Sequence, residues 1–257
     1  MSARELWIAF ATIVIKEVRR FMRIWVQTLL PPAITMALYF VIFGSLIGSR
    51  IGTMGGHDYM QFIVPGLVMM AVITNAYSNV VSSFFSIKFQ HSIEELLVSP
   101  VPNWVILWGF VIGGVLRGVL VGAIVTLLSL LFTHLSLHHF GVMLLVVLLT
   151  AIVFALGGFI NAIYATKFDD VAIVPTFVLT PLTYFGGVFY SISLLSPFWQ
   201  NVSLANPIVY MVNAYRYGIL GVSDVPVALS IGLLAVLAAG LYAWAMWLLG
   251  RGTGIRK

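Results

Sequence analysis

Few residues in this chain could carry out chemistry, so they can be taken one group at a time. Asp169-Asp170 invites a metal or acid–base role, but no third oxygen ligand or histidine is near in sequence, which favours helix capping or a partner contact. His134 and His138 stand four residues apart, a spacing that could chelate on a helix, with His139 next to them. No carboxylate or cysteine accompanies them, and a polar turn at an interface suits them better. There is no cysteine, so disulfides and thiolate metal sites are excluded. There is also no Gly-Lys dipeptide and hence no phosphate-binding loop, so ATP hydrolysis by this polypeptide is not expected.

The other polar groups sit in apolar surroundings. Thr74, Asn75, Ser78, Asn79, Ser82 and Ser83 recur every three to four residues, which on a helix makes one stripe about 13 Å long. Such a stripe avoids lipid and is compatible with helix–helix hydrogen bonding or with a substrate path. Arg117 is the one charge deep in an apolar run; it suits a functional role, a carbonyl partner or a snorkelling pose. Pro175 and Pro181, with Thr176, Thr180, Thr183 and Gly186-Gly187, interrupt another run twice, and the first run opens with Gln27, Thr28 and Pro31-Pro32, which suit a hinge or simply its cytoplasmic entrance. Asn75, Ser78, Asn79, Ser82, Thr180, Thr183 and Tyr184 are the candidate path residues.

The elements that position these groups are membrane helices. With 61% hydrophobic and 8% charged residues, and a mean hydropathy of +1.08, the chain cannot hide its apolar surface in water. Continuous apolar runs contradict the alternation of a β-barrel. The expected fold is all-α and polytopic, with six spans near Ile24–Ile47, Phe62–Phe84, Trp104–Phe132, Phe140–Ala165, Val171–Tyr190 and Val225–Leu249. The N-terminus lacks the pattern of a cleaved secretory signal, so the first segment is expected to be retained. If both termini are cytoplasmic, Arg4, Lys16, Arg19, Arg20, Arg23, Lys88, Lys167, Arg251, Arg256 and Lys257 lie inside, against Arg50 and Arg216 outside. The net charge of +5 therefore reports membrane orientation rather than nucleic-acid binding.

Three segments outside the spans carry structure. Residues 1–23 read as a basic amphipathic helix on the cytoplasmic leaflet, where its cations meet anionic lipid. Residues 88–102 read as one short cytoplasmic helix: Ser92 and Glu95 form a capping box, Glu94 and Glu95 complement the helix start, and Pro100 ends it. Ile93, Leu96 and Leu97 beside two carboxylates suit a knob for a groove on a soluble partner, or a turn that only joins two spans. Asp169 is expected to cap the following span. Residues 191–221, apolar and broken by Pro197 and Asn206-Pro207, suggest two short helices dipping into the outer interface.

In this order the motifs resemble the permease subunits of type-2 ABC exporters, and within them the YadH-like permeases. The most specific match is Pro207-Ile208-Val209-Tyr210 followed after five residues by Arg216, with Pro175 to Tyr190 before it. Phe62-Ile63-Val64-Pro65-Gly66 and Ile93-Glu94-Glu95-Leu96-Leu97-Val98-Ser99-Pro100 are also similar. The resemblance covers essentially the whole chain, taken as a single permease domain over 1–257, and marks Pro207, Tyr210 and Arg216 as signature residues. It implies a bacterial inner-membrane homodimer clamped on two copies of a cytosolic ABC ATPase, which would bind ATP and Mg; this chain would hold no cofactor. The N-terminal helix and Ser92–Ser99 would touch the ATPase, with Asp169 and Asp170 nearby. It also implies a path between protomers along the first, second and fifth spans.

Other classes predict features that this sequence lacks. An ion-coupled secondary transporter predicts intramembrane carboxylates or histidines and an inverted repeat. A membrane-embedded enzyme predicts clustered acids or histidines at one membrane face, where only Glu94, Glu95, Asp169 and Asp170 are available. A membrane assembly scaffold stays open on sequence alone.

Overall fold

The computed structural model describes residues 1–252 and 254. Arg256 and Lys257, counted above among the inner cations, lie outside the described residues, as do the side chains of Ser45 and Leu97. The chain begins with α1 (Ala3–Arg23), followed by α2 (Trp25–Thr28), α3 (Leu30–Tyr39), a π-helical stretch (Phe40–Ile47) and α4 (Gly48–Ile51). A hairpin of β1 (Thr53–Met54) and β2 (His57–Asp58) turns on Gly55 and Gly56, both at positive φ as a tight hairpin turn needs. Next come α5 (Tyr59–Phe89), α6 (Ile93–Val98), α7 (Asn103–Ser129) and α8 (Phe140–Tyr164). Then α9 (Phe168–Val174), a second π-helical stretch (Pro175–Leu179) and α10 (Thr180–Tyr184) form one interrupted segment. A 3-10 turn (Ile192–Leu194), α11 (Pro197–Leu204), α12 (Pro207–Leu220) and α13 (Val227–Arg251) complete the order.

Among the described residues, five helical runs are long and apolar enough to cross a membrane: Trp25–Ile51, Tyr59–Phe89, Asn103–Ser129, Phe140–Tyr164 and Val227–Arg251. The segment expected as the fifth span is the interrupted one, and its helix stops at Tyr184 rather than reaching Tyr190. The cause is local: Pro175 and Pro181 supply no N–H, and Gly187 turns the backbone at φ 69.

The centre of the bundle is α5. Its Ile63, Val64, Leu67, Val68, Ile73 and Val80 are fully buried beneath α7, α8 and α12. Approach is close because small residues remove side-chain bulk: a Cβ on Gly158 of α8 would lie 2.5 Å from the Tyr77 carbonyl oxygen. By contrast Leu38, Leu46, Phe177, Leu229 and Val236 are exposed, as lipid-facing or partner-facing surface would be.

Chain direction gathers the loops after α5 and α8, the C-terminus of α13 and helix α1 at one end of the bundle. We call this the basic end, because Lys16, Arg19, Arg20, Arg23, Lys88, Lys167 and Arg251 are there. The hairpin, α11 and α12 occupy the opposite end.

Helix α1 begins with a capping box that sequence reading missed. Ser2 is extended, its hydroxyl accepts from the Glu5 amide, and the Glu5 carboxylate accepts from the Ser2 amide. The helix does not lie loose on a surface. Ile13, Glu17 and Phe21, four residues apart, form a buried face against α7, while Trp7, Ile8 and Ile15 are exposed.

Candidate functional site

Helix α6 stands at the tip of the basic end. The expected Ser92–Glu95 box is not formed: Ser92 has helical dihedrals (φ −69°, ψ −10°), and its side chain caps nothing. A capping side chain must leave from extended backbone, which Ser2 provides and Ser92 does not. His91 starts the turn instead, in the left-handed region at φ 58, with its carbonyl accepting from the Glu94 amide and its ring 3.4 Å from the Glu94 carboxylate. Ile93, expected to be exposed, is 2% exposed and anchors the helix, and Leu96 packs partly on the core. Glu94, Glu95, Pro100 and above all Val98, 86% exposed, project away from the bundle.

The C-terminal turn of α5, which leads into α6, is pinned to α8. Lys88 Nζ donates to the carbonyls of Ala162, Ile163 and Ala165, at the negative end of the α8 dipole. In the neighbouring turn it is Asp170, not Asp169, that closes the start of α9. Its carboxylate accepts from the Thr166 amide at 2.8 Å, the Thr166 hydroxyl at 2.8 Å and the Lys167 amide at 3.0 Å. These donors, the Thr166 amide first, hold the Asp170 carboxyl below the usual carboxylate range. Asp169 is exposed beside it.

The polar stripe of α5 divides into two. Asn75, Asn79 and Ser83 are buried and turn toward α1 and α7. Arg20 donates to the Asn79 carbonyl (2.9 Å) and its side-chain oxygen (2.8 Å), and pairs with Glu17 at 3.2 Å. Ser83 donates to the other Glu17 oxygen at 2.6 Å, and Glu17 is 0% exposed. One level deeper, Arg117 donates to Asn75 Oδ1 (3.2 Å) and to the Thr28 carbonyl (3.3 Å). Gly113 makes this possible, since a Cβ there would meet Glu17 Cβ at 2.6 Å.

The other half of the stripe faces the interrupted segment. Thr74 and Ser78, with Met70, Pro175, Leu179, Thr180 and Thr183, line a slit of about 60 Å³. Thr180 and Thr183 return their hydroxyls to the Pro175 and Leu179 carbonyls. Ser82 donates to the Asn79 carbonyl at 3.2 Å. At the far mouth of the segment the Tyr184 hydroxyl lies 3.3 Å from that of Tyr39 in the first span. Of the candidate path residues, then, Asn75 and Asn79 are taken up by cations, while Ser78, Thr180 and Thr183 share the slit.

At the opposite end Arg216 is 1% exposed. It donates to the carbonyls of Phe62 (3.3 Å) and Gly187 (2.7 Å) and to Asn213 Oδ1 (3.3 Å), and its guanidinium lies 3.9 Å above the Phe62 ring. Asn213 Oδ1 also accepts from the Asp224 amide, and the Asp224 carboxylate receives the Ser191 hydroxyl and Ile192 amide. Pro207 opens α12, which the Asn206 side chain caps, and the Tyr210 hydroxyl donates to the Leu204 carbonyl. His138 and His139 pack on Tyr217. Among the described residues no group of three His, Asp or Glu side chains could hold a metal ion.

Sequence reading missed Glu17, Asn213 and Asp224. Glu17 had a signal, standing midway between Ile13 and Phe21 on the apolar face of α1.

Comparison with known proteins bears on what this arrangement does. The family model described as ABC-2 type transporter matches residues 8–220. The chain is 58% identical over 251 residues, 98% of each chain, to the inner membrane transport permease YadH of Escherichia coli K12. It is 23% identical over 202 residues to nodulation protein J of Rhizobium meliloti, covering 78% of this chain and 77% of that one. The corresponding protein of Neorhizobium galegae is 21% identical over 200 residues, covering 77% and 76%.

Proposed function

The chain belongs to the ABC-2 type transporter family, and from that premise we propose that it is the membrane half of an ATP-driven exporter. Two copies would form the membrane unit, served by two copies of a separate ATPase that binds ATP and Mg. The observation that carries this reading is α6: an exposed acidic helix, anchored by Ile93 and following directly on α5, whose Lys88 is tied to α8, is suited to take a push from a soluble partner and pass it to α5 and α8. Helix α1, held to α5 through Glu17 and Arg20, is a second lever on the same central helix. The basic end faces the cytoplasm on this reading, because cations accumulate on that side of bacterial inner membranes. The cargo is a hydrophobic or amphipathic molecule such as a lipid, a drug-like compound or a lipid-linked glycan. It would pass between protomers along the first, second and fifth segments, where Ser78, Thr180, Thr183 and Tyr184 offer hydroxyls in apolar walls.

The experiment is affinity purification from the native membrane in mild detergent, with identification of co-purifying proteins and an ATP hydrolysis assay. A stoichiometric P-loop ATPase whose recovery falls with Glu94→Lys/Glu95→Lys supports the reading. Recovery and transport equal to the native chain would remove α6 from the coupling path, and absence of any ATPase would return the chain to a secondary transporter or a scaffold.

A further inference from the structure

A groove of about 330 Å³ opens sideways from the bundle in the half nearer the basic end, across Leu179 from the polar slit. Its walls include Tyr77 of α5, Gly157 and Asn161 of α8, Leu179 of the interrupted segment, and Leu241 and Trp244 of α13. Nearly all of its surface is apolar, and it opens where hydrocarbon surrounds the protein. We propose that this groove holds one acyl chain of an anionic phospholipid from the leaflet at the basic end, with the lipid phosphate at Arg251.

Polar and aromatic groups follow the order of a lipid molecule read from tail to head. Tyr164 and Trp244, whose rings are 6.2 Å apart, border the groove at the end of α8, the level at which aromatic side chains meet ester and glycerol groups. The Tyr77 hydroxyl is buried beside the Asn161 side chain, one turn from the end of α8. Further along, Trp244, Trp247 and Arg251 follow at three- and four-residue spacing on one face of α13. The Arg251 guanidinium lies 4.3 Å over the Trp247 ring and is exposed, at the level of a phosphate. The charge selects an anionic headgroup, and the four-walled groove selects a lipid held through its tail rather than a loose counterion.

Gly157 provides the decisive variant. A Cβ there meets only Tyr77 Cδ2, at 4.0 Å, so a larger side chain fills the groove without displacing backbone. The full chain is reconstituted in nanodiscs of equal phosphatidylglycerol and phosphatidylethanolamine, released into mild detergent, and its retained lipid read by native mass spectrometry. The native chain should keep phosphatidylglycerol over phosphatidylethanolamine by about fivefold, the selectivity of one interfacial cation. Gly157→Leu should lose the lipid while keeping its elution profile and melting temperature. Arg251→Gln, a surface change, should keep a lipid but lose the preference. Equal lipid on Gly157→Leu and the native chain, a lipid-free native chain, or an unchanged preference in Arg251→Gln would each overturn the assignment. None of these readouts depends on an ATPase partner or on transport.

Discussion

One buried and one half-buried arginine site stand at the two ends of the bundle, and they are built differently. At the opposite end, Arg216 sits among fixed acceptors, two of them main-chain carbonyls, with an aromatic ring beneath it. At the basic end, Arg20 is 30% exposed, its Nε and the Asn79 amide nitrogen find no partner, and Arg117 Nε is likewise unpaired. A fully satisfied network rigidifies, whereas a partly satisfied one has alternatives of similar energy. The opposite end is therefore a fixed frame, and the basic end, where α1 meets α5 and α7, is the joint able to rearrange.

The largest effect should come from breaking the frame. Arg216→Ala leaves the Phe62 and Gly187 carbonyls and the Asn213 oxygen short of a donor, at a cost of about 3 kcal/mol or more. The melting temperature in detergent should fall sharply. Arg216→Lys should not restore it, because an ammonium cannot reproduce the guanidinium fork. A native melting temperature for either variant would contradict the contrast.

Next in size is Gly113→Leu, which drives a side chain into Glu17 and costs about 2 kcal/mol by overpacking. The loss should be local to α1. Trypsin should cut at Arg19 and Arg20 faster, and ATP hydrolysis by the assembled complex should fall, while the bundle melts close to the native temperature. Smaller again is Glu17→Gln, which keeps the shape but makes the bond to Ser83 neutral and removes the ion pair with Arg20, worth about 1 kcal/mol. Loss of the whole fold in either variant would show that α1 belongs to the frame.

The smallest effect belongs to Asp170. Its folded pKa is depressed below 3.8, so the turn keeps its full stabilisation above that value and loses it as pH falls through the lower folded pKa. Carbon NMR should place the titration below 3.8, and Asp170→Asn should speed amide exchange at Thr166 and Lys167 without changing the melting temperature.

Composition and long apolar runs made the helical membrane class legible, because hydrocarbon leaves backbone groups few ways to be satisfied. The sequence also located both short structured segments between spans. What it could not reveal was rotation about helix axes. Thr74, Ser78 and Ser82 alternate with Asn75, Asn79 and Ser83 one residue apart, so a single stripe in sequence divides between two neighbours in space. Capping was misplaced for a related reason. Ser92–Glu95 has the residue types of a box, but dihedral angles decide, and tertiary anchoring through Ile93 and Lys88 fixes those.

The π-helical stretch Pro175–Leu179 forms the partition between the polar slit and the lipid groove, since Leu179 borders both. A wide turn holds one residue more than an ordinary one, so annealing it would screw everything beyond it round by about 100°. Thr180 and Thr183 would then leave the slit and other side chains would line it, and Tyr184 would turn with them away from Tyr39. A slit walled this way would exchange its lining by torsion alone, without prising the helices apart.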